Sequence, residues 1–352
     1  MFVSSTLFTK TNAIKIETLL AASNPNPNGL SRFKTMKRNF NHTTTKVPPY
    51  ILIPLAGFTG TALYTYYYFQ DEMPFTKRKR LLATSIEWEK KAGDEQYKRL
   101  LQQYKGKILP PAHRASVTVE RVGDRIAMAA QKFAKEHNVK TYGNKYTYTV
   151  VRSDMANAFV LPNNHVFVLS GLFNFVKNED DLAAILGHEM AHNLSRHAGE
   201  RVSSSILISL LARCTLLIDP SGVLYSLFIP TATLLHDLPH SRDHEIEADY
   251  IGLHLASEAC FDPKAARKVF SAMKDGEKDG KNDNSKTRAL APPEFMSTHP
   301  SYDTRISNFD DWMPKAMEIY NQDAGYKCQR IRKDMKEARQ HAARLAKHHE
   351  RK

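Results

Sequence analysis

The sequence predicts an α+β fold, in which a mainly helical domain with a small sheet follows one N-terminal transmembrane helix. Apolar residues recur at helical spacing through most of the chain after Val117. Short runs of β-branched and aromatic residues between positions 146 and 169 are typical of strands. At 352 residues and 42% hydrophobic content, the chain is long enough for one sizeable domain with appendages.

Residues 1–46 have the composition of a mitochondrial targeting segment. They are rich in Ser, Thr and Asn, and contain seven Lys and Arg residues but a single acid, Glu17. A secretory signal would need an early apolar core, which this stretch does not have. A disordered tail is the alternative, and in either case the segment contributes nothing to the fold.

The next segment, 47–70, is predicted to cross a membrane. Tyr50–Phe69 contains no charged residue. Twenty helical residues span roughly 30 Å, the thickness of a bilayer core. Tyrosines at both ends suit the two interfaces, but the basic residues on either side balance each other and leave the orientation open.

The remaining chain divides into a helical connector (71–110), a catalytic domain (111–320) and a basic C-terminal helix (321–352). An amphipathic helix is expected from Val117 to His137. The two apolar runs within Ser205–Leu235 are too short and too interrupted by charge to span comfortably, which favours a helical hairpin, buried or dipping into a membrane face. Three strands are expected, at Tyr146–Val151, Asn157–Pro162 and Val166–Leu169.

The motif with most chemical content is His188-Glu189-Met190-Ala191-His192. Residues four apart share one face of a helix, so His188 and His192 can present two imidazoles to one zinc ion. Glu189 lies beside the first imidazole and can accept a proton from the attacking water. Asn178 is a suitable N-cap for the helix that this spacing requires.

A peptidase zinc site needs a third protein ligand and an open position. Glu245 is the candidate third ligand, in the sequence His-Glu-Ile-Glu-Ala-Asp. Asp249 lies four residues later on the same helical face, where it can hydrogen-bond a ligand imidazole and orient it. The alternating acids also resemble a solvated helix face, and Asp243 and Glu247 are assigned to such a face.

These two motifs resemble those of the membrane-associated gluzincin peptidases, a family that includes the CAAX prenyl protease and the bacterial HtpX protease. Three further segments match the family, and the resemblance covers roughly Val117 to Trp312. It implies a zincin fold with one Zn2+ per chain. The further segments are Asn157–Pro162 with His165–Val168, Ser170–Leu172, and His299-Pro300 with Arg305.

The resemblance also implies further site residues. Asn157, Ala158 and Phe159 resemble the family's edge strand, which would bind an extended substrate through backbone hydrogen bonds. His299 and Arg305 match the family's candidates for stabilising the oxyanion. Structural alternatives stay open for both, namely a loop cap for His299 and pairing with Asp303 or Glu245 for Arg305.

The expected function is therefore that of a zinc metalloendopeptidase. A mitochondrial-looking N-terminus and one early span point to family members of the mitochondrial inner membrane, with the catalytic domain in the intermembrane space. The resemblance implies quality control of inner-membrane proteins and stress-triggered cleavage of substrates that include a dynamin-like fusion GTPase. A CAAX-type prenyl-protein protease of the endoplasmic reticulum is an alternative, although it would need several spans. A non-catalytic lipid-binding scaffold is another, which Glu189 argues against because a structural zinc site needs no adjacent base.

Charge and cysteine content bear on partners. The net charge is +13, and the segment after Tyr326 contains ten Lys and Arg residues but only three acids. Without a recognisable nucleic-acid module, this basic tail favours anionic lipid such as cardiolipin over nucleic acid; a homo-oligomer is left open. Unpaired thiols are the simpler expectation for Cys260 and Cys328, and a disulfide between them is the alternative.

Overall fold

The computed structural model describes residues 49–282, 302–321, 328–331, 333 and 337. The predicted targeting segment and the candidate residue His299 lie outside the described residues. The chain divides into two compact units, Met1–Pro54 and Leu55–Lys352. The predicted connector, 71–110, falls within the second unit together with the predicted catalytic domain.

The described elements alternate between helices and short strands in a mainly helical α+β arrangement, as predicted. The helices are α1 (Pro49–Tyr68), α2 (Ile86–Gln103), α3 (Arg114–Glu136), α4 (Glu179–Leu194), α5 (His197–Ile218), α6 (Val223–Glu258), α7 (Lys264–Asn282) and α8 (Tyr302–Asn321). The strands are β1 (Gln70–Glu72), β2 (Lys79–Leu81), β3 (Thr147–Val151), β4 (Ala158–Val160) and β5 (His165–Leu169).

Helix α1 coincides with the predicted span at Tyr50–Phe69. The helix itself is confirmed. However, among the residues that the structure describes, no helix combines the length and the apolar character of a membrane-crossing segment. Five tyrosines and three threonines occur within the 20 residues of α1, and their hydroxyl groups reduce its hydropathy.

The sheet that supports the site has the strand order β3–β5–β4. The central strand β5 is fully buried, runs parallel to β3 and is antiparallel to β4. All three strands lie within the predicted ranges, apart from a start for β5 one residue early. Since β4 pairs on one side only within the described residues, it is an edge strand. A second, two-stranded sheet formed by β1 and β2 was not predicted.

Helix α4 forms the centre of the core. Thirteen of its sixteen residues are buried, because α3, α6, α7 and β4 all pack around it. A helix in such a position buries residues on every side, including the polar residues His188 and Glu189. Two glycines bring α4 and α6 into backbone contact, since a Cβ added to Gly252 would lie 2.8 Å from His188 Cα and one added to Gly187 would lie 2.9 Å from Gly252 O.

Helices α5 and α6 confirm the hairpin predicted for Ser205–Leu235. The turn between them ends at Gly222, whose φ of +79° suits glycine. Several large apolar side chains near the turn are exposed. They are Ile206, Leu210, Leu216, Val223, Leu224 and Leu227.

Cys260 and Cys328 form a disulfide, so the expectation of two unpaired thiols was wrong. Their Cα atoms are 5.1 Å apart, although 68 positions separate them in the sequence. Cys260 lies just beyond the end of α6, and both cysteines are buried. The bridge therefore attaches the start of the basic C-terminal segment to the helix that carries Glu245.

Candidate metal centre

The local sequence of α4 fixes the direction of its two histidines. Asn178 caps the helix by accepting a hydrogen bond from the Asp181 amide at 2.9 Å. Three acids in the first turn complement the positive end of the helix dipole. Four positions apart on this regular helix, His188 and His192 stand on one face, with their ring centroids 4.6 Å apart.

His188, His192 and Glu245 form a cluster of three potential metal ligands. The two Nε2 atoms are 3.1 Å apart, and each lies 3.4–3.5 Å from a carboxylate oxygen of Glu245. Tetrahedral zinc with bonds of about 2.0–2.2 Å places its ligand atoms roughly 3.3–3.5 Å from one another. Two imidazole nitrogens and one carboxylate at this spacing therefore fit a zinc ion, as predicted from the sequence.

Asp249 lies behind His188 at the position that the sequence analysis assigned to it. Its Oδ1 is 2.9 Å from His188 Nδ1, which leaves Nε2 directed towards the other two ligands. Burial by itself lowers the pKa of His188, but hydrogen bonds to Asp249 and Glu245 outweigh burial and raise that pKa to about 9. A metal ion bound here would therefore compete with a proton at this imidazole near neutral pH.

Arg305 reaches the same place from α8. Its side chain is fully buried and donates hydrogen bonds to Asp249 at 2.7 and 2.8 Å. It also lies 3.2 Å from Glu245, one of the two pairings that the sequence left open. Burial opposes ionisation of Asp249, but the charge of Arg305 and the hydrogen bond from His188 hold the pKa of Asp249 below its usual value.

A second chain of polar groups leads away from His192, and sequence reasoning missed it. His192 Nδ1 is 2.7 Å from His197 Nδ1, and His197 Nε2 is 2.8 Å from Glu247. Glu247 in turn pairs with Arg78, which also binds Glu200. Glu247 is only 4% exposed, so its assignment to a solvated helix face was wrong, whereas Asp243 is exposed as expected.

Glu189 and the edge strand complete the surroundings of the cluster. Glu189 is buried in α4 between the two histidines in sequence. Strand β4 packs against α4 and contains Ala158, which is buried, and Phe159, which stacks on Phe167 at 5.3 Å. The Asn157 carbonyl, just before β4, accepts a hydrogen bond from Leu169 on the central strand at 2.9 Å. Within the part of the chain that the structure describes, the other edge of β4 is not paired and could accept another extended chain.

Two histidines and a glutamate at metal-binding distances, an adjacent glutamate and a nearby sheet edge define a zincin-type metallopeptidase. Residues 119–313 match peptidase family M48, which is over half of the chain, and the chain belongs to that family. It is a metalloendopeptidase, and both the family and the enzyme class predicted from its motifs are confirmed.

Similar proteins include two from yeasts. The chain is 36% identical to mitochondrial metalloendopeptidase OMA1 of Saccharomyces cerevisiae over 267 residues, which are 75% of each chain. It is 38% identical to mitochondrial metalloendopeptidase OMA1 of Schizosaccharomyces pombe over 255 residues, 71% of this chain and 69% of the relative. A mammalian relative, metalloendopeptidase OMA1, mitochondrial, of Bos taurus, is 30% identical over 80% of this chain and 53% of its own length.

Proposed function

We propose that this protein is a zinc-dependent endopeptidase of the mitochondrial inner membrane that cleaves membrane proteins. The observation that carries the zinc assignment is the close approach of three groups: the Nε2 atoms of His188 and His192 are 3.1 Å apart, and each lies 3.4–3.5 Å from one of the two carboxylate oxygens of Glu245. When bound, zinc lowers the pKa of water towards about 7 and polarises a carbonyl group.

The protein's own groups then divide the remaining work. Glu189 accepts the proton of the attacking water and returns it to the leaving amine, as a general base and then a general acid. Asp249 keeps His188 oriented and a good donor, and Arg305 holds Asp249 and Glu245 in place. The direct contact of Arg305 with Glu245 favours this positioning role over contact with substrate. His299 is kept as a candidate for the oxyanion on family resemblance alone.

We assign substrate binding to the free edge of β4, around Asn157, Ala158 and Phe159. An extended peptide would add to this edge by backbone hydrogen bonds. The main chain carries those bonds in any sequence, so this mode of binding suits an enzyme with several protein substrates. It also holds the scissile bond near α4, because β4 packs against that helix.

The cellular setting rests on the relatives, which are named as mitochondrial proteins. A disulfide between Cys260 and Cys328 suits an oxidising compartment, which supports an intermembrane-space location for the domain. Quality control of inner-membrane proteins, with a dynamin-like fusion GTPase among the substrates, follows the family resemblance. Binding of the basic tail to cardiolipin and self-association are further proposals.

The chemistry is tested with Glu189→Gln in the full-length protein. An amide cannot act as a base, so cleavage of an extended quenched-fluorescence peptide should fall by about 10²–10⁴-fold. Zinc content, measured by atomic absorption, should stay at one per chain. Glu179→Gln, in the first turn of the same helix and paired with Arg121, is the matched control and should cleave normally. Cleavage by Glu189→Gln at near wild-type rate would reject the mechanism.

Location is tested in isolated mitochondria. The protein should stay in the membrane pellet after carbonate extraction, and added protease should reach the domain once the outer membrane is ruptured. Recovery in the soluble fraction would reject attachment to the membrane. Protection from protease after rupture would place the domain in the matrix instead.

A further inference from the structure

We infer that the hairpin formed by β1 and β2, Gln70–Leu81, belongs to the metal centre, and that Arg78 is a positioning residue for His192. This inference rests on the proposed zinc site. It adds no new ligand and does not involve the groups behind His188. It concerns the polar chain that leads from His192 to the N-terminal part of the domain.

Arg78 lies between two carboxylates. Its guanidinium donates to Glu247 at 2.8 and 3.1 Å, and to Glu200 at 2.7 and 2.8 Å. The Thr76 hydroxyl, on the same hairpin, donates to the other oxygen of Glu247. The side chains of both acids are no more than 3% exposed, and that of Arg78 is 17% exposed. A planar guanidinium can satisfy two carboxylates in this way, whereas a lysine ammonium cannot.

The hydrogen-bond directions carry the effect from Glu247 to His192. The carboxylate of Glu247 can only accept, so His197 Nε2 must donate across their 2.8 Å separation. The other nitrogen of neutral His197, Nδ1, is then an acceptor, and His192 Nδ1 must be the donor across 2.7 Å. With its proton on Nδ1, His192 has a lone pair on Nε2, the atom that lies with the other two ligands.

Arg78 therefore affects His192 as well as Glu247. Without its charge, two buried carboxylates would face each other, which is strongly unfavourable. Glu247 would move away from His197, and both the orientation and the tautomer of His192 would lose their support. A hairpin that precedes His192 by more than a hundred positions thus controls how well that histidine can bind zinc.

The test compares Arg78→Met with Lys79→Met in the full-length protein. Met keeps an unbranched side chain but removes the guanidinium and its charge, and Lys79 is the exposed next residue, the first of β2. Zinc affinity is measured by competition with a chromophoric chelator, and the coordination by the visible spectrum after substitution with cobalt(II). Circular dichroism and thermal melting of the metal-free proteins establish that each variant is folded.

We expect Arg78→Met to bind zinc about 10–100-fold more weakly, the usual effect of losing a group behind a ligand. Its cobalt spectrum should change, while Lys79→Met should match the wild type in both measurements. The double variant Arg78→Met with Glu200→Gln should regain part of the zinc affinity. Glu247 is then the only one of the two facing carboxylates that remains charged. A merely structural role for Arg78 would not produce this rescue.

Three outcomes separate the possibilities. If the wild type binds neither zinc nor cobalt, the proposed zinc enzyme fails and this inference with it. If the wild type binds metal and folded Arg78→Met binds it equally, with the same spectrum, the inference alone is overturned. If Arg78→Met does not fold, Arg78→Lys decides by the same two measurements, since it keeps the charge but not the paired hydrogen bonds.

Discussion

Replacing Gly252 with alanine has two opposing effects on stability: it raises helix propensity, and it overpacks the contact between α4 and α6. Gly252 lies in α6 beside His188, seven residues after Glu245. An added Cβ would stand 2.8 Å from both the Cα and the N of His188, and 2.9 Å from the carbonyl carbon of Gly187. All three are backbone atoms of a buried helix, so no side chain can rotate to make room.

Helix propensity favours alanine over glycine by about 0.8–1.0 kcal/mol. Overpacking in a close-packed core typically costs about 1–3 kcal/mol. To restore a contact of 3.4 Å, α4 and α6 would have to separate by about 0.6 Å. A functional site tolerates displacements of roughly 0.5 Å. Because α4 carries both histidines and α6 carries Glu245, the separation acts directly on the three ligands.

We therefore expect Gly252→Ala to lower the free energy of unfolding by up to about 2 kcal/mol, and zinc affinity by about tenfold or more. Urea denaturation of the metal-free protein and chelator competition measure the two quantities. Gly60→Ala, at a helical glycine with open space around it, gains helix propensity without overpacking, so it should not lower the free energy of unfolding and should leave zinc affinity unchanged. A Gly252→Ala variant that is more stable and binds zinc normally would refute the account of how the helices position the ligands.

Three further predictions concern other parts of the domain. Cys260→Ser should reduce the free energy of unfolding by up to about 4 kcal/mol, the loop-closure value for 68 residues. A reductant should have the same effect on the wild type and none on the variant, and an unchanged midpoint in urea would contradict this. Burial lowers the pKa of His165 to about 4, so the stability gained by keeping it neutral is present above about pH 6.5 and is lost as the pH falls towards 4. In His165→Gln, the urea midpoint should depend less on pH over that window. A pH dependence identical to that of the wild type would exclude the histidine as the cause. Asp249→Ala should weaken zinc binding by about 10–100-fold and also destabilise the fold, because Arg305 stays buried beside it. Asp249→Asn keeps the shape of the side chain and should be less destabilised than Asp249→Ala. Unchanged zinc affinity in both variants would show that Asp249 is not part of the site.

The grouping of residues within each helix could be predicted because local spacing alone determines it. Positions i and i+4 on α4 and on α6 put His188 with His192 and Glu245 with Asp249, whatever the rest of the chain does. The strands were also predictable from composition. Hairpin β1–β2 was not, since its two charged three-residue strands have no apolar alternation.

The groups behind His192 could not be predicted, for two different reasons. Arg78 and Glu247 meet across 169 positions of sequence, and Arg78 stands in a basic run that is typical of a membrane flank. His197 begins a new helix after Arg196, whose left-handed backbone (φ 54°) reverses the chain and brings His197 beside His192. Helical periodicity carried through Arg196 would have placed it elsewhere.

The misreading of Glu247 has a geometric cause. Residues two apart on a helix point in nearly opposite directions. Glu245 and Glu247 therefore serve opposite sides of α6, one at the metal cluster and the other at His197. Alternating acids would form one solvated face on a strand, but on a helix they point to different sides, where Glu245 and Glu247 are both buried with different partners.

The scattering of this site along the sequence has a consequence for the timing of activity. Its groups come from Arg78, from α4 and His197, from α6 and finally from Arg305. Arg78 meets Glu247 across 169 positions of sequence, and Arg305 meets Asp249 across 56. A chain that emerges from a ribosome or a translocation pore in order of its sequence cannot assemble the metal centre until Arg305 has emerged. An N-terminal portion ending before that point would contain the His-Glu-x-x-His motif but lack the arginine that holds Asp249 and Glu245. Until Arg305 joins the site, we therefore expect the peptidase to have reduced activity, without needing a separate inhibitor.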